Sequence, residues 1–257
     1  MSILIVSDYD GTLKRNDDKI ELQKNINALK TLLIEDVRIM ISTGRLYKSI
    51  RSEIDNFIIP FNYLSCANGN VLFDEKFNIL YKTIANSEIL KILKPYYKNI
   101  FSLEMLDEYG MRTNKEPVEI LIKIEEEKNI RRQIVDQLLL SPNVDYCTDG
   151  NNKYTIHIFS LSNKTKTIDF LKNRKRITTD KIYTIGDGSN DLDMIKEYNG
   201  FIIGKQFDKS EDLNAIPKYE TFDACIKELQ NTLKRSMKKW SVQYIWFFIK
   251  KYMCIVK

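Results

Sequence analysis

The sequence predicts an α/β protein: a doubly wound, Rossmann-like parallel sheet core with an inserted α+β cap domain. Three observations predict it. Short all-apolar runs alternate with segments of helical periodicity, the pattern of strands buried on both faces of a parallel sheet. Four of the strands end in a polar residue, at Asp8, Thr43, Asn68 and Asp187. Between the third and fourth of these strands, strand–helix alternation gives way to helices followed by paired strands.

The elements follow in order. Ile3-Leu-Ile-Val6 is the first strand. Leu22, Ile26, Leu29 and Leu33 recur at helical spacing and give one apolar helix face. Val37 to Ile41 is the next strand, running into Ser42-Thr43-Gly44-Arg45, and a helix follows from about Leu46 to Ile54. Tyr63 to Cys66 is the third strand, ending in Ala67-Asn68-Gly69. Val71 to Phe73 and Ile79 to Tyr81 read as a hairpin. The inserted part then runs as a helix (Glu88 to Tyr97), strands at 101–106 and 118–125, a helix at 129–140, and strands at 144–148 and 154–159. That is an αββ unit given twice. A helix after Leu161 to Lys164 returns the chain to the main sheet, and Ile182 to Ile185 is its fourth strand, running into Gly186-Asp187-Gly188-Ser189-Asn190-Asp191. The expected organisation is a discontinuous catalytic core over 1–82 and 161–233, a cap over 83–160, and a basic, aromatic tail over 234–257.

Composition excludes several function classes. The 257 residues include one histidine, His157, so no multi-histidine metal site can be built. Cysteines at 66, 147, 225 and 254 form no CxxC pair and lack zinc-site spacing. None is followed six residues later by arginine, which removes a cysteine-nucleophile phosphatase loop. Free thiols suit a reducing compartment, and the expected location is cytoplasmic. The net charge of +5 is carried by the tail: residues 234–257 hold seven Lys/Arg and no acids, leaving −2 for residues 1–233. A nucleic-acid-binding body would need a basic face of its own, so no nucleic-acid partner is expected.

The chemistry lies at the strand ends, because ligands of open α/β sheets bind at the carboxyl ends of the strands. Asp8 and Asp10 sit in one turn, and Asp187 and Asp191 in another. Two carboxylates about 4 Å apart repel by roughly 4 kcal/mol at an effective dielectric near 20. Clustering three or four of them requires a cation or a shared proton. Oxygen ligands without His or Cys indicate a hard cation, with Mg2+ the default. Neither acid cluster has glycine at its sixth position, which excludes an EF-hand loop. Asp191 also suits a helix N-terminus, where its charge satisfies the dipole. Lys164 stands at i−4 and i−7 from Ile168 and Leu171, on the inward face at a helix start, so it points toward the sheet edge.

Asp8-Tyr-Asp10-Gly11-Thr12-Leu13, Thr43-Gly44-Arg45, Lys164 and Gly186-Asp187-Gly188-Ser189-Asn190-Asp191 resemble, in this order, the four motifs of the haloacid-dehalogenase-like phosphatases. Asn68-Gly69 followed by a hairpin and an insertion is similar to the Cof-type branch with a large α/β cap. The resemblance covers roughly residues 1–233. It departs from the family pattern at Thr165, where relatives usually have glycine, and at Lys205-Gln206, where they have Asn-Ala.

The resemblance implies Asp8 as the nucleophile that forms an aspartyl-phosphate and Asp10 as the general acid and base. Neighbouring negative charges are expected to help keep Asp10 protonated. It implies Mg2+ held by Asp8, the Asp10 main-chain carbonyl and Asp187, with Asp191 nearby and Asn190 in a secondary metal or phosphate shell. Thr43, Gly44, Lys164 and Asn68 are the implied phosphate binders. The expected activity is a Mg2+-dependent phosphomonoesterase acting on a small phosphorylated metabolite, a sugar phosphate foremost. The alternatives are a phosphosugar mutase of the same fold and a non-catalytic sugar-phosphate-binding or membrane-attached regulatory protein.

Three further expectations concern residues outside those motifs. His157 reads as a half-exposed strand histidine with Tyr154, Ile156 and Ile158 on the opposite face. Arg112 and Lys153 are cap residues able to reach a substrate. The tail holds both tryptophans, at 240 and 246, behind basic residues at 234, 235, 238 and 239. It is read as a helix that docks on its own core or a second subunit, or as an appendage for peripheral membrane binding or self-association.

Overall fold

The computed structural model describes residues 2–16, 18–33, 36–148, 152–161, 163–175, 178, 181–204, 213 and 215–234. The core opens with β1 (Ile3–Asp8), α1 (Lys19–Lys30), β2 (Val37–Ser42), α2 (Tyr47–Phe57), β3 (Tyr63–Cys66), β4 (Val71–Asp74) and β5 (Ile79–Lys82). The insertion comprises α3 (Glu88–Leu93), β6 (Ile100–Leu106), β7 (Glu119–Ile124), α4 (Lys128–Leu139), β8 (Val144–Thr148) and β9 (Thr155–Ser160). The core resumes with α5 (Thr165–Lys175), β10 (Ile182–Gly186), α6 (Leu192–Glu197), β11 (Asn199–Ile203) and β12 (Lys218–Tyr219). A helix over residues 222–234, α7, ends the described chain.

An eight-stranded sheet has the order β12-β11-β10-β1-β2-β3-β4-β5, parallel from β12 to β3 and antiparallel beyond. Its central strands read as apolar runs because both faces are covered. In β1 and β2, Ile5, Ile39 and Ile41 face α1, α2 and α7, packing with Leu22, Ile26, Ile50, Ile54, Phe222 and Leu229. Leu4, Val6 and Met40 face the other way, against Ile168 and Leu171 of α5 and Met194 of α6. The second sheet is antiparallel, with order β6-β7-β9-β8, and packs Ile120, Ile122, Ile156 and Ile158 beneath α3 and α4. The two αββ units are therefore hairpins laid side by side, with β7 and β9 as neighbours.

Two details differ from the sequence reading. The stripe of α1 ends differently: the helix stops at Lys30, where the Thr31 amide bonds back to the Ala28 and Leu29 carbonyls, so Leu32 is buried and Leu33 is exposed. The helix expected to Tyr97 is α-helical only to Leu93. Pro95, which has no N–H to give to an i−4 carbonyl, sits in the 3-10 turn Lys94–Tyr96 that follows. α7 was not read from the sequence. Its Phe222, Cys225, Ile226, Leu229 and Leu233 are buried against the main core. The tail from residue 235 onward lies outside the described residues, as do Lys205 and Gln206. Among the described residues, no helix is long and apolar enough to cross a membrane.

Candidate active site

The strand order β10-β1-β2-β3 sets the four polar strand ends side by side, at the point where the chain order reverses between β10 and β1. Asp8 closes β1 and is 4% exposed. The Lys164 ammonium donates to Asp8 Oδ1 at 2.5 Å and to Asp191 Oδ1 at 2.6 Å. Lys164 is 1% exposed, on the same side of α5 as the buried Ile168 and Leu171. The second oxygen of Asp191 accepts the backbone N–H groups of Asp187 at 3.1 Å and Gly188 at 3.0 Å, shaping the turn after β10. Thr12 donates its hydroxyl to Asp187 Oδ1 at 2.7 Å. Gly11 makes this approach possible: its φ is +86°, and a methyl group there would collide with the Asp187 carboxylate. Gly69 does the same for the loop before α5: its φ is +89°, and a methyl group there would collide with the Asn163 carbonyl.

Electrostatics at this cluster are strained. Burial raises the Asp8 pKa well above the ordinary carboxylate value, Asp191 adds to it, and Lys164 offsets only part. Burial raises Asp187 as well. For Lys164, burial alone would lower the pKa, but Asp191 and Asp8 outweigh it and the net shift is upward. The carboxyl oxygens of Asp8, Asp187 and Asp191 lie within 4.8 Å of one another, and Asp8 Oδ2 is buried with no hydrogen-bond partner. An all-oxygen donor set, an orphaned carboxylate oxygen and an excess of buried negative charge are the features a hard divalent cation needs. The residues fit Mg2+. Because both oxygens of Asp191 are already engaged, Asp8 and Asp187 are the carboxylates left to hold it directly.

Asp10 behaves differently from the expectation of crowding by other acids. Its carboxylate is half exposed and takes a two-pronged ion pair from Arg45, Nε to Oδ2 at 2.7 Å and Nη2 to Oδ1 at 2.5 Å. Arg45 is itself braced against the Tyr9 ring and lies 3.7 Å from Glu53. Asp10 therefore meets a guanidinium, and its side chain stands apart from the three-carboxylate cluster.

Thr43 is buried just past β2; its hydroxyl accepts the Arg45 N–H at 3.1 Å and its carbonyl accepts the Asn68 N–H. Asn68 adopts a left-handed conformation (φ 50°, ψ 40°) in the turn after β3 and lines the cleft with Gly44 and Asn190. Asp8, Lys164, Asp187 and Asp191 thus form one buried cluster. Asp10, Gly44, Asn68 and Asn190 border the same cleft, and Thr43 is packed behind its wall.

The cleft, about 1220 Å³, is also lined by the cap residues Glu119, Asp145, Tyr146, Cys147, Thr148 and His157. His157 is part-exposed, with Ile156 and Ile158 on the opposite face as read; what the sequence did not show is that its ring lines the cleft, with Nδ1 2.6 Å from Glu119 Oε1. Arg112 and Lys153 do not line this cleft: Arg112 pairs with Glu104, and Lys153 lies over Tyr154. Sequence reasoning assigned no role to Arg45 or Thr12, although both stand inside the quoted motifs, and it did not single out Glu119.

Comparisons with known proteins bear on the family and the fold. The family model described as haloacid dehalogenase-like hydrolase matches residues 5–141 and 106–209. The 5-amino-6-(5-phospho-D-ribitylamino)uracil phosphatase YcsE of Bacillus subtilis (strain 168) is 22% identical over 203 residues, covering 76% of this chain and 80% of the relative. BT1666 of Bacteroides thetaiotaomicron, described among phosphatases of the haloalkanoate superfamily, superposes with a TM-score of 0.70 at 18% identity, covering 90% of this chain and 95% of its own. The HAD subclass IIB sugar phosphatase BT4131 gives a TM-score of 0.65 at 18% identity over 93% of this chain and 99% of its own.

Proposed function

The chain belongs to the haloacid dehalogenase-like hydrolases, and from that premise we propose that it is a Mg2+-dependent phosphomonoesterase working through an aspartyl-phosphate on a small sugar or polyol phosphate. The observation that carries this reading is the buried Asp8–Lys164–Asp191 chain at the carboxyl end of β1, with one Asp8 oxygen left unpartnered. The curated relative that is a phosphatase, and the sugar phosphatase of similar fold, support the substrate class.

In this reading a carboxylate oxygen of Asp8 attacks phosphorus as the ester P–O bond breaks, leaving the phosphoryl group on Asp8. The departing alkoxide takes a proton from Asp10, which Arg45 holds at the mouth of the cleft and must loosen to allow the transfer. A water then attacks phosphorus and gives its proton to Asp10, and the acyl phosphate breaks to phosphate and Asp8. Lys164 stabilises the charge that develops on the phosphoryl oxygens, Gly44 and Asn68 border them, and Thr43 acts from behind the wall by holding the Gly44–Arg45 and Asn68 turns in place. When bound, Mg2+ would be held by Asp8, Asp187 and the Asp10 main-chain carbonyl, and would offset the repulsion between carboxylate and phosphate. Asp191 acts through the ammonium and the turn it fixes, and Asn190 stands at the edge of the phosphate site.

The testing experiment is phosphate release from a panel of phosphomonoesters with Mg2+ present. Release from p-nitrophenyl phosphate and, faster, from sugar or polyol monophosphates is expected. A panel that yields no phosphate, or turnover only after addition of a bisphosphate activator, sinks the reading; the second result would favour a mutase.

Metal binding has its own readout in stability. Asp8 and Asp187 have folded-state pKa values raised above their unfolded ones, so the metal-free fold binds extra protons and loses stability as pH rises through that window. Protons and Mg2+ compete for the same oxygens. The Mg2+-induced rise in Tm should therefore be small near pH 4 and grow toward neutrality. At about 100 times Kd it should reach roughly 2.7 kcal/mol, or about 5–10 °C for a chain of this size. A Tm that ignores Mg2+ at pH 7.5 contradicts the metal assignment.

A further inference from the structure

We propose that Glu119 and His157, with Asp145 beside them, are specificity-determining residues that admit an uncharged, hydroxyl-rich leaving group and turn away one carrying a second phosphate or a carboxylate. The proposal rests on the phosphomonoesterase reading and deepens it. Strand register places these residues on one face. Glu119 pairs with Phe159 and Leu121 with His157 between β7 and β9; Asp145 pairs with Phe159 and Cys147 with His157 between β8 and β9. The alternate residues, Ile120, Ile122, Ile156 and Ile158, fill the cap core. The face bearing Glu119 and His157 lines the same cleft as Asp8, Asp10 and Lys164.

Packing does not account for the pair. Glu119 is 1% exposed, and a buried ion pair generally stabilises a fold no better than apolar residues of the same volume. Its chemistry suits a ligand instead. Carboxylates accept hydrogen bonds and do not donate them, so a wall holding Glu119 and Asp145 matches a molecule that brings hydroxyl donors. An anionic group meets the opposite situation. Among the described residues lining the cleft, the lysine and arginine, Lys164 and Arg45, are on the core side and already bound to Asp8, Asp191 and Asp10. The cap wall offers the carboxylates of Glu119, tied to the His157 imidazole, and of Asp145, which has Lys166 in electrostatic reach, so Glu119 carries the larger share of the effect. One phosphoryl group is neutralised at the core; a second anion at the cap faces like charge.

The test compares matched substrates on the full chain with Mg2+: a hexose monophosphate, the same skeleton carrying a carboxylate at its far end, and the corresponding bisphosphate. The wild type should favour the uncharged leaving group by at least about tenfold in kcat/KM, a difference the like-charge contact readily supplies. Glu119→Gln, which keeps the shape and removes the charge, should move this ratio about tenfold toward the anionic substrates by raising their kcat/KM. Asp145→Asn should move it the same way, and serves if Glu119→Gln does not fold. Damage to the cap lowers turnover of every substrate and cannot produce a gain for the anionic ones. Hydrolysis of p-nitrophenyl phosphate with no preference among the matched set, or a ratio unmoved by both variants, overturns the proposal alone. No phosphate from any substrate, p-nitrophenyl phosphate included, overturns the phosphomonoesterase reading and the proposal with it.

Discussion

Asp8→Asn should lower kcat by at least about 10⁴-fold, the scale on which removal of a covalent nucleophile acts, while the protein stays folded. The amide keeps the shape of the side chain but cannot attack phosphorus, and it offers a poorer ligand to a cation. Folding should hold, because the substitution removes a buried charge whose pKa is already pushed upward by burial and by Asp191. The Lys164 ammonium keeps Asp191 as a partner. Steady-state phosphate release and a thermal melt on the same preparation check both halves. A variant with turnover within tenfold of wild type would place the nucleophile elsewhere.

Lys164→Met is the second large effect, and it acts on stability as well as on rate. The ammonium is the shared partner of Asp8 and Asp191, all three buried. Removing one member of a buried ionic cluster leaves uncompensated charge, at a cost of about 3–5 kcal/mol. For a chain of this size that corresponds to a fall in Tm of roughly 6–20 °C. Turnover should drop by about 10²–10³-fold, the effect of losing one donor to a developing oxyanion. Assays run below the lowered Tm separate the two. Turnover near wild type in the folded variant would remove Lys164 from the phosphoryl site.

How much of this could be read from the sequence depends on the range of each interaction. The ends of β1, β2, β3 and β10 were legible because an apolar run buried on both faces must stop where a polar residue begins, and Asp8, Thr43, Asn68 and Asp187 are those residues. The inward direction of Lys164 was legible because helical periodicity ties it to Ile168 and Leu171. The ion pair between Asp10 and Arg45 was not. It depends on the register of β1 against β2, which sets Asp8 opposite Ser42 and so brings the two following turns together. Glu119 was missed for a related reason. Alternation along a strand tells which residues share a face, but a charged residue on that face reads as solvated until the fold shows that the face closes over a cleft. α7 carries an apolar stripe at 222, 225, 226, 229 and 233, but it lies past the last of the four motifs and holds none of their residues.

The central claim is that the phosphoryl group passes through Asp8. A single turnover with a substrate carrying radiolabelled phosphate, quenched in acid within the first catalytic cycle, tests it directly, since acyl phosphates survive acid long enough for peptide mapping. The account predicts label on the peptide containing Asp8 in the wild-type protein and none in Asp8→Asn. Turnover with no label on the wild-type protein at any quench time, or label on a peptide lacking Asp8, would contradict it.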